Sequence, residues 1–262
     1  MGVQNSSRTR VAPVFDALMA KDRTGELWLN RLVHLGSRTR EVSLPPVIGR
    51  LPEDHPRWWG VTERSLWPPK ALLEWLVLNV TPESVDAAGD TGLVREKRRL
   101  LASKDSATVN EALLAIRRGE RGRRWHNLEG PSFPDACLET DKILLVVEGK
   151  RTERSCTSKT KWMPKRSQLL RHMDAAVEIG GARRVLGLLV VEGDGKGNVL
   201  EPSDYWLEQS RSQYADSMLG ASLPHRSLSE RRELVGGVLG VTTWQRVCLE
   251  FDLLWPPLDD DD

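Results

Sequence analysis

The most informative segment of this chain covers residues 134–150 and reads PDACLETDKILLVVEGK. Residues 143–147 are an unbroken run of Ile, Leu and Val, which is typical of a β-strand that is buried on both faces. Residues 135–140 form a shorter strand pattern, and the polar residues at 140–141 predict a tight turn between the two. We therefore expect a hairpin whose second strand lies at the centre of a sheet.

Charged side chains stand at one end of this hairpin. Asp135 opens the first strand, Glu148 ends the second, and Lys150 follows two positions later. Because alternate residues of a strand face the same side, Glu148 and Lys150 share a face, and the hairpin can bring Asp135 beside Glu148. Two adjacent carboxylates raise each other's pKa unless a cation joins them. The pattern predicts a site for Mg²⁺ or Mn²⁺, which would polarise a phosphodiester and activate water.

Helical and strand patterns surround the hairpin. Apolar periodicity predicts helices over residues 93–102, 107–118, 164–180 and 241–251, and further strands over residues 123–128 and 184–191. This alternation predicts an α/β fold with a mixed central β-sheet flanked by helices.

The chain divides by composition into three parts. Residues 1–92 hold five of the ten tryptophans and several Pro-rich turns, which predicts a mainly helical N-terminal region. Residues 93–255 carry the core, and residues 256–262 form an acidic tail. The tryptophans have two interpretations: packing against the Pro-rich turns, which we favour, or exposed stacking platforms for single-stranded nucleic acid.

A family resemblance rests on these residues. Pro134-Asp135 followed by Glu148-Gly149-Lys150, with an apolar strand between them, resembles the PD-(D/E)XK motif of restriction-endonuclease-like nucleases. The order of elements over residues 107–191 is similar to the core of that superfamily. The resemblance implies that Asp135, Glu148 and the Gly149 carbonyl hold the metal, while Lys150 acts on the attacking water.

The same resemblance implies two further groups. The helix before the sheet often supplies another acidic residue, for which Glu111 is the matching candidate and Glu129 the second choice. Several members of the superfamily carry a glutamine on the helix after the lysine strand, where this chain has Gln168.

Basic residues are concentrated although the net charge is only +1. Residues 150–171 contain eight Lys or Arg against one acid, and residues 95–125 contain ten against four. Such segments favour contact with a polyanion, although solvated helix and loop exteriors have the same composition. The side chains expected to contact a nucleic-acid backbone are Arg151, Arg154, Lys159, Lys161, Lys165, Arg166, Arg171 and His172.

These features predict a Mg²⁺-dependent deoxyribonuclease. RNA is an alternative substrate. A homodimer is an alternative to a monomer, because cleavage of both strands would use two active centres. Three cysteines without CxxC spacing, no long apolar run and no secretory leader favour a cytoplasmic protein without a membrane span. Two other classes stay open: a catalytically silent nucleic-acid-binding module of the same fold, and a scaffold whose Trp-rich region docks a partner.

Overall fold

The computed structural model of the protein describes residues 6–153, 155–158, 160–193 and 198–255. The predicted acidic tail lies outside the described residues, as do Arg154 and Lys159 of the expected phosphate contacts. No helix in the described part of the chain combines the length and the apolar character needed to cross a membrane.

A mixed sheet of four strands forms the centre of the molecule. The strands of the described residues are β1 (Ala136–Glu139), β2 (Ile143–Lys150), β3 (Thr157–Ser158), β4 (Arg166–Ser167), β5 (Arg184–Val191) and β6 (Val238–Thr243). The sheet order is β1-β2-β5-β6, with β1 antiparallel to β2 and the other pairs parallel, while β3 and β4 form a separate short hairpin. The predicted α/β class, hairpin and central strand are confirmed.

Helices cover the sheet and form a neighbouring layer. They are α1 (Ala12–Lys21), α2 (Leu29–Gly36), α3 (Lys70–Asn79), α4 (Pro82–Ala87), α5 (Gly92–Ala102), α6 (Ser106–Arg117), α7 (Gln168–Gly180), α8 (Asp204–Gln213), α9 (Asp216–Ser222), α10 (Leu228–Val235) and α11 (Trp244–Glu250). A π-helical turn, Ser7–Val11, precedes α1, and a 3₁₀ turn, Ser37–Thr39, follows α2.

Local signals explain where several elements begin. The Asp105 side chain accepts a hydrogen bond from the Thr108 amide and caps α6, as its position before the apolar face indicates. Helix α7 begins at Gln168, four residues later than predicted. The Ser167 hydroxyl caps it there, because Arg166 and Ser167 pair with β3 and hold the preceding residues out of the helix.

Two predicted elements were wrong in part. Residues 123–128 form turns and bends rather than a strand, and the Asn127 side chain there donates to the Glu120 and Gly122 carbonyls. The segment predicted as one late helix, residues 241–251, begins as the end of β6. Its β-branched residues continue the buried pairing with β5 up to Thr243, whose hydroxyl then caps α11.

The N-terminal region contributes to two cores. Phe15 and Trp28 of the first helical segments pack in one apolar cluster with Val147 and Leu188 of the sheet. Helices α3, α5 and α6 form a separate apolar cluster of their own. Trp28 and Trp59 are each only 2% exposed, so packing accounts for these two tryptophans. Part of residues 1–92 therefore shares the core of the sheet, because α1 and α2 cover one of its faces.

Candidate functional site

The hairpin brings the two predicted carboxylates together. Ala136 is paired with Val147, so continuing the antiparallel register sets Asp135 opposite Glu148. The Gly149 amide donates to Asp135 Oδ2 at 2.7 Å, which fixes this carboxylate beside the end of β2. Asp135 is 8% exposed and Glu148 is 3% exposed. Both acids are therefore held inside the protein at the same edge of the sheet.

Lys150 and α7 complete this group. Lys150 Nζ lies 2.8 Å from Glu148 Oε1 and donates to Gln168 Oε1 at 2.8 Å. One turn further along α7, His172 Nε2 lies 2.9 Å from Glu148 Oε2. The structure thus brings Asp135, Glu148, Lys150, Gln168 and His172 to one place, which we call the carboxylate–lysine centre.

The N-terminal turn also reaches this centre. Ser6 Oγ donates to the Gly149 carbonyl at 3.1 Å. Ser7 Oγ contacts Asp135 Oδ1 and lies 3.0 Å from Glu63 Oε1, so its single proton can be donated to either carboxylate. An isolated bridge between Trp59 and Ala136 holds the segment of Glu63 against β1. Sequence reasoning missed these three side chains, because residues 6, 7 and 63 belong to no periodic pattern or motif.

The acids expected on the preceding helix lie elsewhere. Glu111 is on the exposed face of α6 and pairs with Lys97 at 2.8 Å. Helix α6 packs on α3 and α5 rather than on the strand end. Glu129 is buried and bound by Arg166 and Arg171. Neither reaches the centre, and Glu63 is the additional acid that the structure places beside Asp135.

The buried Asp135 carboxyl lies near other negative charges that no cation among the described residues offsets completely. Burial, followed by the negative charges of Glu148 and Glu63, raises its pKa to about 7. Hydrogen bonds from Ser7 and the Gly149 amide oppose this shift only in part. Burial and the charge of Glu148 also raise the pKa of Glu63. A cation placed between these acids would favour their ionised forms and would therefore lower both pKa values.

Glu148 behaves in the opposite way. Burial alone would raise its pKa, but the hydrogen bond to His172 and the positive charge of Lys150 hold it below the ordinary value. The pKa of Lys150 is raised, because the attraction of Glu148 outweighs the effect of burial on the ammonium. Glu148 is therefore ionised at neutral pH beside a charged lysine.

The donor set suits a hard divalent cation. Asp135, Glu148 and the Gly149 carbonyl offer oxygen atoms. The Glu63 carboxylate is connected to Asp135 through the Ser7 hydroxyl. Within the described residues, no group of three or more His, Cys, Asp or Glu side chains is arranged to hold a metal alone. Mg²⁺ ordinarily uses one or two carboxylates and completes its shell with water and substrate phosphates. Two carboxylates and a carbonyl at one strand end therefore fit this ion.

The centre is enclosed in this structure. The cavity beside Glu148, Lys150 and Gln168 measures only about 10 Å³. Gly149 is packed so closely that a Cβ there would lie 2.8 Å from Trp244 and 3.0 Å from Val11. The glycine is thus required by close packing of the N-terminal turn and α11 against β2, rather than serving as a flexible strand end.

The expected phosphate contacts separate into buried and exposed groups. Arg166 and His172 are 1% and 2% exposed and bind carboxylates, so neither is presented to a nucleic-acid backbone in this structure. Arg171 is largely occupied by Glu129 and the Gly130 and Pro131 carbonyls. Arg151 is half-buried, whereas Lys161 and Lys165 are exposed.

Comparison with known proteins identifies no relative. No protein-family description, no curated protein and no solved structure matches this chain. The chemistry of the carboxylate–lysine centre is therefore the ground for a functional conclusion.

Proposed function

We propose that the protein is a Mg²⁺-dependent nuclease that hydrolyses phosphodiester bonds in DNA. The observation that carries this proposal is the meeting of Asp135 and Glu148 from adjacent strands beside Lys150, with the pKa of Asp135 raised to about 7. Buried acids of a purely structural cluster are matched by cations, whereas here one acid is left in excess.

Each side chain has a role in the proposed reaction. Asp135, Glu148 and the Gly149 carbonyl hold the cation, which would polarise the phosphodiester and lower the pKa of the attacking water. Lys150 orients that water and offsets the charge that develops on the phosphate oxygens. Gln168 fixes the Lys150 ammonium through its 2.8 Å hydrogen bond, and His172 fixes the Glu148 carboxylate.

The enclosed centre implies a conformational step. A cavity of about 10 Å³ does not admit a phosphodiester, and residues 6–11 lie against the strand end. In the proposed mechanism this turn moves away from Gly149 and Asp135 before the substrate binds. Displacing the Ser7 hydroxyl would free Asp135 Oδ1 for the cation.

A second candidate is a nucleic-acid-binding module that does not cleave. It is favoured by the saturation of Glu148, whose two oxygens already contact Lys150 and His172 at 2.8 and 2.9 Å. This candidate predicts binding that weakens as salt rises, without metal-dependent cutting.

The test compares two lysines of the same strand region. Supercoiled, linear and single-stranded DNA are incubated with the wild type, Lys150→Gln or Lys142→Gln in Mg²⁺, Mn²⁺ or EDTA. Lys142 is the matched control because its side chain is 54% exposed and pairs with its neighbour Asp141. We expect metal-dependent cleavage that falls at least about 100-fold in Lys150→Gln and less than about twofold in Lys142→Gln. Binding without cleavage by the wild type, or equal cleavage by both variants, would reject the nuclease.

A further inference from the structure

A second concave site lies away from the carboxylate–lysine centre. It is a cleft of about 700 Å³ between the start of α5, residues 122–131 and residues 160–162. Arg171 of α7 also lines it, but Asp135, Glu148 and Lys150 do not. Its volume falls in the range of about 300–1,000 Å³ that small-molecule sites occupy.

The cleft has an excess of positive charge. Its lining has two acids and five bases, namely Asp90, Glu129, Arg98, Arg123, Arg124, Lys161 and Arg171. Asp90 is paired with Arg98 and Lys161, and Glu129 is bound by Arg166 and Arg171. Both acids are thus already neutralised.

Two arginines remain for an anion. Arg123 and Arg124 are exposed on the cleft wall, and no side-chain partner is recorded for either within the described part of the chain. Guanidinium groups bind carboxylate and phosphate through two parallel hydrogen bonds, and the three terminal oxygens of a phosphate group offer acceptors to two adjacent arginines at once.

Aromatic rings stand on the same walls. Trp67 and Trp162 are half-buried and line the cleft. The Arg98 guanidinium lies 5.1 Å from the Trp162 ring centroid, and that of Arg121 lies 5.6 Å from Trp67. Each guanidinium covers one face of its indole, so a planar heteroaromatic ring would stack on the other face.

Two buried acceptors on the lining lack hydrogen bonds. Asn127 Oδ1 and Glu129 Oε2 have no hydrogen-bond partner among the described residues, although Asn127 and Glu129 are 9% and 3% exposed. Buried polar atoms are nearly always paired, so unpaired acceptors at a cleft indicate a missing donor. The exocyclic amino group of adenine, cytosine or guanine would supply two N–H donors, one for each acceptor, whereas uracil offers a single ring N–H.

We propose that this cleft binds one nucleotide. Arg123 and Arg124 bind its phosphate, Trp67 and Trp162 contact its base, and Asn127 with Glu129 accepts from the amino group of that base. The site uses no residue of the carboxylate–lysine centre and no metal, so it extends beyond the proposed nuclease activity. The nucleotide is either a free nucleoside phosphate or one unit of a single strand.

Binding is measured in EDTA, which separates this proposal from cleavage. Labelled GMP, AMP, CMP and UMP, and a short single-stranded oligonucleotide, are titrated with the protein. Inorganic phosphate serves as competitor. We expect saturable binding in which at least one amino-bearing nucleotide, or the oligonucleotide, binds at least about tenfold tighter than UMP or phosphate. Tight binding of the free nucleotide identifies a small-molecule site, and tight binding of the oligonucleotide alone identifies a strand-binding site.

Variants assign the binding to the cleft. Arg123→Glu/Arg124→Glu should weaken it at least tenfold, while the charge-matched control Arg23→Glu/Arg38→Glu, made at exposed arginines of the α1–α2 region, should not. Trp67 is outside the apolar clusters, so Trp67→Leu should weaken nucleotide binding and leave phosphate binding and thermal stability unchanged. Absence of saturable binding, or equal binding by the two charge-reversed variants, would overturn the proposal. Asp135→Asn should bind the nucleotide as the wild type does, whatever its cleavage.

Discussion

Helix α7 carries buried charge on two sides, and the two clusters are built differently. On one side, Arg166 contacts both Glu129 and Asp174, and Arg226 donates to Asp174 at 2.5 Å. Burial alone would raise the pKa of Asp174, but His225, Arg166 and Arg226 hold it below its ordinary value. On the other side, Asp135 keeps a raised pKa. The first cluster is balanced and the second is not.

This difference agrees with a structural role for the first cluster and with the catalytic role proposed for the second. The balanced cluster, which we call the arginine cluster, ties the segment before β1 to α7 and to the end of α9. By fixing α7, it sets the positions of Gln168 and His172 at the carboxylate–lysine centre. Carboxylates whose charge is matched by cations stabilise the fold, whereas an acid left in excess lowers stability and is retained where a ligand completes the site.

The largest expected effect concerns the arginine cluster. Arg166→Met leaves Glu129 and Asp174 buried without their shared cation, so the free energy of unfolding should fall by about 3–5 kcal/mol in urea denaturation. Arg118→Met, at an exposed position, should change it by less than about 0.5 kcal/mol. A loss below about 1 kcal/mol for Arg166→Met would mean that the cluster is not a structural tie.

The next effect concerns the excess acid and its pH dependence. The pKa of Asp135 is about 7 in the folded protein, against about 3.9 in an unfolded chain. Between these two pKa values the folded state holds a proton that the unfolded state has lost. The free energy of unfolding of the wild type therefore falls as pH rises towards 7. In EDTA, Asp135→Asn should gain about 2 kcal/mol over the wild type between pH 5 and pH 7, with little further change above that.

Urea denaturation of both proteins at pH 5, 6, 7 and 8 measures this gap. Asp141→Asn is the control, because Asp141 is exposed and lies in the turn of the same hairpin. A gap that is constant with pH would show that Asp135 carries an ordinary acid's pKa.

The smallest effect distinguishes two candidate third acids. The Ser7 hydroxyl connects the carboxylates of Glu63 and Asp135. Glu63→Gln should therefore lower the rate of metal-dependent cleavage about tenfold, equivalent to about 1.4 kcal/mol. Glu111→Gln should leave cleavage unchanged, since Glu111 is on α6 with Lys97. Equal effects of the two substitutions on the initial rate of cleavage would contradict this assignment.

The sequence predicted the local part of the centre well. The apolar run of β2 and its register with β1 follow from residues close together in the chain, so Asp135, Glu148 and Lys150 could be placed together. Gln168 was expected only from the family resemblance, and His172 was expected as a phosphate contact rather than as a partner of Glu148. Local patterns also predicted the order of the sheet hairpin, α7 and β5.

Contacts over long sequence distances could not be predicted in the same way. Ser7 is 128 residues from Asp135, and the turn that carries it has no apolar periodicity. The burial of Arg166 and its carboxylate partners could not be predicted either. A lysine- and arginine-rich segment has the same composition whether its side chains face solvent or a buried acid. Tertiary packing, rather than local propensity, decides both cases.

The most direct test of the account is Mn²⁺ binding to the carboxylate–lysine centre, measured by calorimetry at pH 6 and pH 8. The account predicts a saturable site in the wild type that binds several-fold more tightly at pH 8, because Asp135 must lose its proton to bind the ion. It also predicts that Asp135→Asn abolishes this site and Asp141→Asn preserves it. Equal binding by the wild type and Asp135→Asn, or no saturable site at either pH, would contradict the account.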